Sequence, residues 1–164
     1  MSATALSTSD RIAQSPAPEE SANAAAWPSF APQGDDRKDY FAGQGDEVYA
    51  GRHLILDLWE AKGLDDIDYM ESVLREAVEA SGATLLHFHL HHFTPNDGIS
   101  GVAVLAESHI SVHTWPERDY AAFDIFMCGE ARPEVAAKVI ADAFKPGQHE
   151  LKTLIRGRFD ADSV

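Results

Sequence analysis

From His53 onward, apolar and polar residues alternate with a clear period, and that period changes along the chain. HLILDLWE (53–60) sets Leu54, Leu56 and Leu58 on one face and Ile55, Asp57 and Trp59 on the other, the period of two that predicts a strand. LDDIDYMESVLREAVEASG (64–82) switches to the helical period. Its apolar stripe is Ile67, Met70, Val73, Leu74, Ala77 and Val78, with Asp65 or Asp66 as the N-cap and Gly82 as the stop. ATLLHFHLHHF (83–93) predicts a strand and TPNDG (94–98) a turn. GVAVLAE (101–107) and HISVHTW (109–115) predict one long strand or two consecutive ones, and YAAFDIFMC (120–128) predicts another. ARPEVAAKVIADAFKPG (131–147) predicts a second helix, opened by Pro133 and closed by Pro146-Gly147, before a last strand in HELKTLIRGRF (149–159).

The predicted order is therefore β-α-β-β followed by β-α-β. Strands that alternate have one covered face and one that is wet or set against a partner. The fold class expected is α+β, a two-layer sandwich of an antiparallel β-sheet with two helices on one face. Apolar residues left on the uncovered face point to a dimer. The domain spans residues 47–160. Residues 1–46 form an acidic extension rich in Ala, Ser and Pro, expected to be mostly disordered because it buries too little apolar surface to offset ordering entropy. Trp27, Phe30, Tyr40 and Phe41 are its candidates for docking on the core.

Charge narrows the partners. Thirteen Lys and Arg against 27 Asp and Glu leave a formal charge of −14. That opposes nucleic acid and anionic lipid, both of which reward basic groups, and tolerates a cationic small molecule. No apolar run is long enough for a membrane span and no secretory signal is evident, so a cytoplasmic location is expected. Cys128 is the single cysteine, which leaves no intrachain disulfide framework.

AESHISVHTWPE (106–117) carries more polar chemistry than a strand needs. A serine hydroxyl can attack the carbonyl just before it, turning the Glu107-Ser108 amide into an ester. Removal of the serine α-proton then expels the ester by β-elimination, and the dehydroalanine left behind hydrolyses to a pyruvoyl group. This needs a strained backbone, an oxyanion stabiliser and a base. His113 fits the base if a bend or turn returns it to Ser108. A pyruvoyl carbonyl forms a Schiff base with a substrate amine and draws off the electrons released with carbon dioxide. Cys128, at the end of the neighbouring strand, fits the acid that returns a proton.

These residues carry a resemblance as well. AESHISVHTWPE, with GISG (98–101) before it and YAAFDIFMCG (120–129) after it, resembles the short bacterial S-adenosylmethionine decarboxylase proenzyme over Gly51 to about Arg158. The resemblance implies cleavage between Glu107 and Ser108, with Ser108 becoming the pyruvoyl cofactor. It implies His113 as proton acceptor in processing, Ser100 as its assistant and Cys128 as the catalytic proton donor. Glu117 matches the residue that binds the substrate ribose, and Phe93 an aromatic that stacks on adenine. It further implies S-adenosylmethionine as substrate, a role in spermidine and polyamine synthesis, and a dimer of α/β heterodimers. The FTPNDGIS loop is longer by a residue than the family pattern.

Other readings stay open on the residues alone. The same pyruvoyl chemistry serves a free amino acid such as arginine or ornithine. His87, His89 and His91 share a strand face and suit a metal-dependent binding module, although HExxH spacing and a second thiol are missing, and no metal is assigned. Asp65, Asp66 and Asp68 are explained by capping and the helix dipole. A serine hydrolase would need a GxSxG elbow that the chain lacks.

Overall fold

The computed structural model describes residues 42–44 and 47–159, so the expectations for the extension and its aromatic residues lie outside the described residues. The elements run β1 (Ala42–Gln44), β2 (Glu47–Trp59), α1 (Ile67–Ser81), β3 (Leu85–His92), β4 (Ile99–Leu105), β5 (Ser108–Trp115), β6 (Tyr120–Met127), α2 (Pro133–Phe144) and β7 (Gln148–Phe159). They form the α+β architecture expected, a seven-stranded sheet in which every pairing is antiparallel. The order β2-β6-β5-β4-β3 is flanked by β7 on the far side of β2, while β1 pairs with the first residues of β2.

Alternation explains which face is covered. Leu54, Leu56, Leu58, Ile110, Val112, Ala121, Phe123, Ile125 and Met127 are buried beneath the helices. Burying a side chain of this size contributes about 1.5–3 kcal/mol relative to exposure. Helix α1 presents Met70, Val73, Leu74, Ala77 and Val78 to that core. Its cap is Asp66, whose carboxylate accepts the Tyr69 N–H at 2.9 Å, and Gly82 closes it at φ 78°. Phe144 of α2 packs on both Phe123 and Tyr69, tying the second helix to the sheet and to α1.

Two boundaries differ from the sequence expectation, and the alternative left open for the central run resolves to two strands. Strand β2 begins at Glu47, because pairing with β1 and β7 sustains extended backbone ahead of the apolar alternation. The central run divides into β4 and β5 around Ala106-Glu107. Helix α2 ends at Phe144 with Lys145 in the left-handed region (φ 46°), so Lys145 makes the stop ahead of Pro146-Gly147.

Candidate active site

The β4–β5 hairpin organises the site. Its register pairs Ser100 with His113 at one end and Leu105 with Ser108 at the other, leaving Ala106-Glu107 as a two-residue turn. Hairpins of this length favour turns with glycine or asparagine, whose twist matches the strands. Here a glutamate occupies the positive-φ position at φ 58°. Left-handed backbone costs an ordinary L-residue about 1–2 kcal/mol. That strain falls on the residue supplying the carbonyl of the Glu107-Ser108 bond.

Strand β6 brings Cys128 to the same point. His109 pairs with Phe126, so the chain leaves the sheet beside the turn two residues later. The Cys128 thiol donates to the Glu107 carbonyl oxygen at 3.0 Å. The Cys128 N–H donates to Ser108 Oγ at 3.3 Å, and Sγ and Oγ are 3.4 Å apart. With the thiol proton on the carbonyl, the serine hydroxyl is the donor to sulfur. Gly51 permits this packing, since a Cβ there would meet the Met127 carbonyl at 2.5 Å.

Ser100 and His113 meet at the opposite end of the hairpin, Ser100 Oγ lying 2.9 Å from His113 Nδ1. Gly101 keeps β4 close to β3, where a Cβ would sit 2.3 Å from the His89 carbonyl. Beneath them Thr114 Oγ1 accepts the Ile99 N–H at 2.8 Å and donates to the Leu64 carbonyl at 2.9 Å, fixing the hairpin end to the loop before α1. A cavity of about 360 Å³ opens here, lined among others by Phe93, Asn96, Ser100, His113, Trp115 and Glu117. The Phe93 ring is held edge-on by His91 at 4.5 Å.

The structure thus gathers the expected residues into two groups. Glu107, Ser108 and Cys128 form one; Phe93, Ser100, His113 and Glu117 form the other. The bend that would return His113 to Ser108 of its own chain is absent among the described residues. Strand β5 pairs with β4 from Ser108 to His113 and with β6 from His109 to Trp115, so it runs straight. At about 3.3 Å per residue the two side chains stand roughly 16 Å apart along the strand.

Between the groups, the helix-free face carries polar residues that the sequence pattern did not single out. Ser111 donates to Asp124 at 3.2 Å, and Arg156 Nη1 lies 3.1 Å from His53 Nδ1. His53 Nε2 is 3.4 Å from Asp124 but not aligned for a hydrogen bond. Burial holds His109 below the usual imidazole range; His53 adds to this and Asp124 opposes it. Tyr120 donates to Asp57, and burial together with that bond pushes its phenol up to about 12. Nothing in a period-two pattern separates these residues from an ordinary wet face; their cross-strand register is the signal. Trp115 and Asn96 were likewise missed as cavity walls. Among the described residues no three His, Cys, Asp or Glu side chains gather to hold a metal ion, and His87, His89 and His91 are spread along exposed positions of β3. Among the same residues no helix is long and apolar enough to cross a membrane.

Comparison with known proteins matches residues 52–157 to the family described as S-adenosylmethionine decarboxylase. An S-adenosylmethionine decarboxylase proenzyme of Thermomicrobium roseum is 44% identical over 108 residues, covering 65% of this chain and 93% of the relative. One of Methanococcus maripaludis is 48% identical over 117 residues, covering 70% and 95%. Among solved structures, the adenosylmethionine decarboxylase of Aquifex aeolicus superposes with a TM-score of 0.61 at 30% identity, over 66% of this chain and 92% of that one.

Proposed function

Because this chain belongs to the S-adenosylmethionine decarboxylase family, we propose that it is made as a proenzyme that cuts itself between Glu107 and Ser108 and then decarboxylates S-adenosylmethionine, the reaction that yields the aminopropyl donor for polyamine synthesis. The observation that carries the self-cleavage reading is the contact of one thiol with both halves of the bond to be cut, at a residue held at positive φ.

In processing, Ser108 Oγ attacks the Glu107 carbonyl carbon as its proton passes to a base. The carbonyl oxygen gains charge where the Cys128 thiol already donates, the placement that stabilises a tetrahedral oxyanion. Collapse releases the Ser108 nitrogen, which takes the proton back from the base, and leaves an ester and a free base. The base removes the Ser108 α-proton, and β-elimination frees the Glu107 carboxylate. Water then replaces the nitrogen as ammonia, leaving the pyruvoyl group at the head of the α chain. That group supplies a carbonyl that condenses with the substrate amine and accepts the electron pair left by carbon dioxide. Cys128, beside the same atom, is the acid that returns a proton to the α-carbon.

His113, polarised by Ser100, is the processing base, and the cavity of Phe93 and Glu117 takes the adenosyl group, its ribose hydroxyls on the carboxylate. Neither reaches Ser108 of its own chain, because β5 is straight. A second copy must therefore supply them, packed on the helix-free sheet face so that each Ser108 meets the partner's base and adenosyl cavity. This makes the working form a dimer of two cleaved chains with two shared sites.

The test is denaturing mass spectrometry of the purified chain, followed by release of labelled carbon dioxide. We expect fragments ending at Glu107 and beginning with pyruvate, and release from S-adenosylmethionine but not from arginine or ornithine. An intact chain after long incubation, or release from a free amino acid instead, would sink the reading.

A further inference from the structure

We propose that the side chain of Asn96 reads the 6-amino edge of the adenine and so sets the base specificity of the adenosyl cavity, an inference that rests on the reading of that cavity given above. Asn96 sits in the turn between β3 and β4, among the residues that line the cavity. The turn is closed by the Phe93 N–H donating to the Gly98 carbonyl at 2.8 Å, which arches residues 94–97 next to the Phe93 ring. Aromatic walls can accept any purine, because every base has a stacking face. Discrimination needs a group that both donates and accepts.

Among the side chains lining the cavity, only the Asn96 carboxamide sets an N–H donor and a carbonyl acceptor side by side on one edge of a planar group. That pair complements adenine, whose 6-amino group donates beside a ring nitrogen that accepts. Of the other polar groups, the Thr94 hydroxyl carries donor and acceptor on a single oxygen and the Trp115 indole only donates, so neither matches both atoms of that edge. Ser100 and His113 are engaged with each other, and Thr114 is saturated by Ile99 and Leu64. Glu117 is acceptor-only and suits ribose hydroxyls. Asn96 is exposed and makes no hydrogen bond within the described residues, so its full capacity is available to a ligand.

The experiment compares steady-state decarboxylation of S-adenosylmethionine with that of its purine analogue lacking the 6-amino group. Wild type, Asn96→Ala and Asn96→Asp are measured after self-cleavage is verified by mass. A bidentate base contact amounts to about tenfold discrimination, so wild type should show a KM about tenfold lower for the 6-amino substrate. Asn96→Ala should raise KM for S-adenosylmethionine to that of the analogue with kcat retained. Asn96→Asp should keep part of the preference, because its carboxylate still accepts from the amino group; a merely structural loop residue would not divide the variants this way. An Asn96→Ala enzyme that retains the wild-type preference overturns the inference alone. A wild-type chain that is cleaved but releases no carbon dioxide from S-adenosylmethionine overturns the functional reading and this inference with it.

Discussion

The Cys128 thiol has one proton and two neighbours that need hydrogen-bonding partners, the Glu107 carbonyl at 3.0 Å and Ser108 Oγ at 3.4 Å. The shorter contact assigns the proton to the carbonyl, and a donor at that oxygen belongs to bond cleavage as much as to turnover. Removing one oxyanion donor from a preorganised site costs about 100- to 1000-fold. The backbone N–H of Cys128 survives substitution and still holds Ser108 Oγ, so the lower end applies. Cys128→Ala should therefore cleave about 100-fold more slowly than wild type, followed by intact-mass time courses, and Cys128→Ser should recover part of the rate through its hydroxyl donor. Equal rates for wild type and Cys128→Ala would confine the thiol to the later proton transfer. Ser108→Ala should give a single uncut chain. From sequence, the motif made Ser108 and Cys128 legible as residues. It did not reveal the thiol's hold on the scissile carbonyl, which depends on how β5 and β6 are registered.

At the level of elements, the β4–β5 turn is the feature that the hydrophobic pattern left open. Ala106-Glu107 has no turn chemistry, which is why the run was compatible with one long strand; only the paired register shows the reversal. A turn written against its preferred residues suits a self-cutting bond, since left-handed strain at Glu107, the residue that supplies the carbonyl, raises the ground state. Glu107→Gly relaxes that position. In a Ser108→Ala background it should raise stability by about 0.5–1 kcal/mol in urea unfolding, the left-handed penalty less the extra flexibility of glycine in the unfolded chain. With Ser108 present, the same change should slow cleavage; faster cleavage would remove strain from the account. The alternation of β2, β5 and β6 was readable because the helix-covered face is so uniformly apolar, whereas the polar pairs across the open face were not. Tyr120 on β6 and Asp57 on β2 are such a pair. The Tyr120 pKa of about 12 lies above the ordinary phenol value of 10. The neutral phenol thus contributes stability that is complete below pH 10 and is lost as pH rises through about 12. The difference in urea midpoint between wild type and Tyr120→Phe should shrink across that window. A constant difference would show that the bond to Asp57 does not depend on the phenol proton.

For the whole molecule, the decisive observation is that one chain holds the expected site residues in two groups at opposite ends of β5, roughly 16 Å apart. The sheet has helices on one face only, and its bare face carries Ile55, Val102 and Phe126 among polar residues that already have partners, including Ser111 with Asp124 and Tyr120 with Asp57. A face whose carboxylates are hydrogen-bonded beforehand can be buried at smaller cost than one with bare charges. Two-fold packing of such faces about an axis lying across the strands makes equivalent ends meet in opposite sense, and it is this packing that would bring the Ser108 end of one hairpin to the His113 end of the other. The prediction is complementation between two dead proenzymes. Ser108→Ala keeps His113 and Ser100; His113→Ala keeps Ser108 and Cys128. Expressed separately, both should remain intact. Co-expressed, they form mixed dimers in which the partner's His113 faces the Ser108 that can still react, so only the His113→Ala chain should be cut. With random pairing at equal expression, about half of the His113→Ala chains should be cleaved. If the base acts within its own chain, neither variant carries a complete set and the mixture should stay uncut. Distinct mass tags on the two chains report which one was cut, and cleavage of the tagged His113→Ala chain alone is the outcome that only a site shared between two copies can produce.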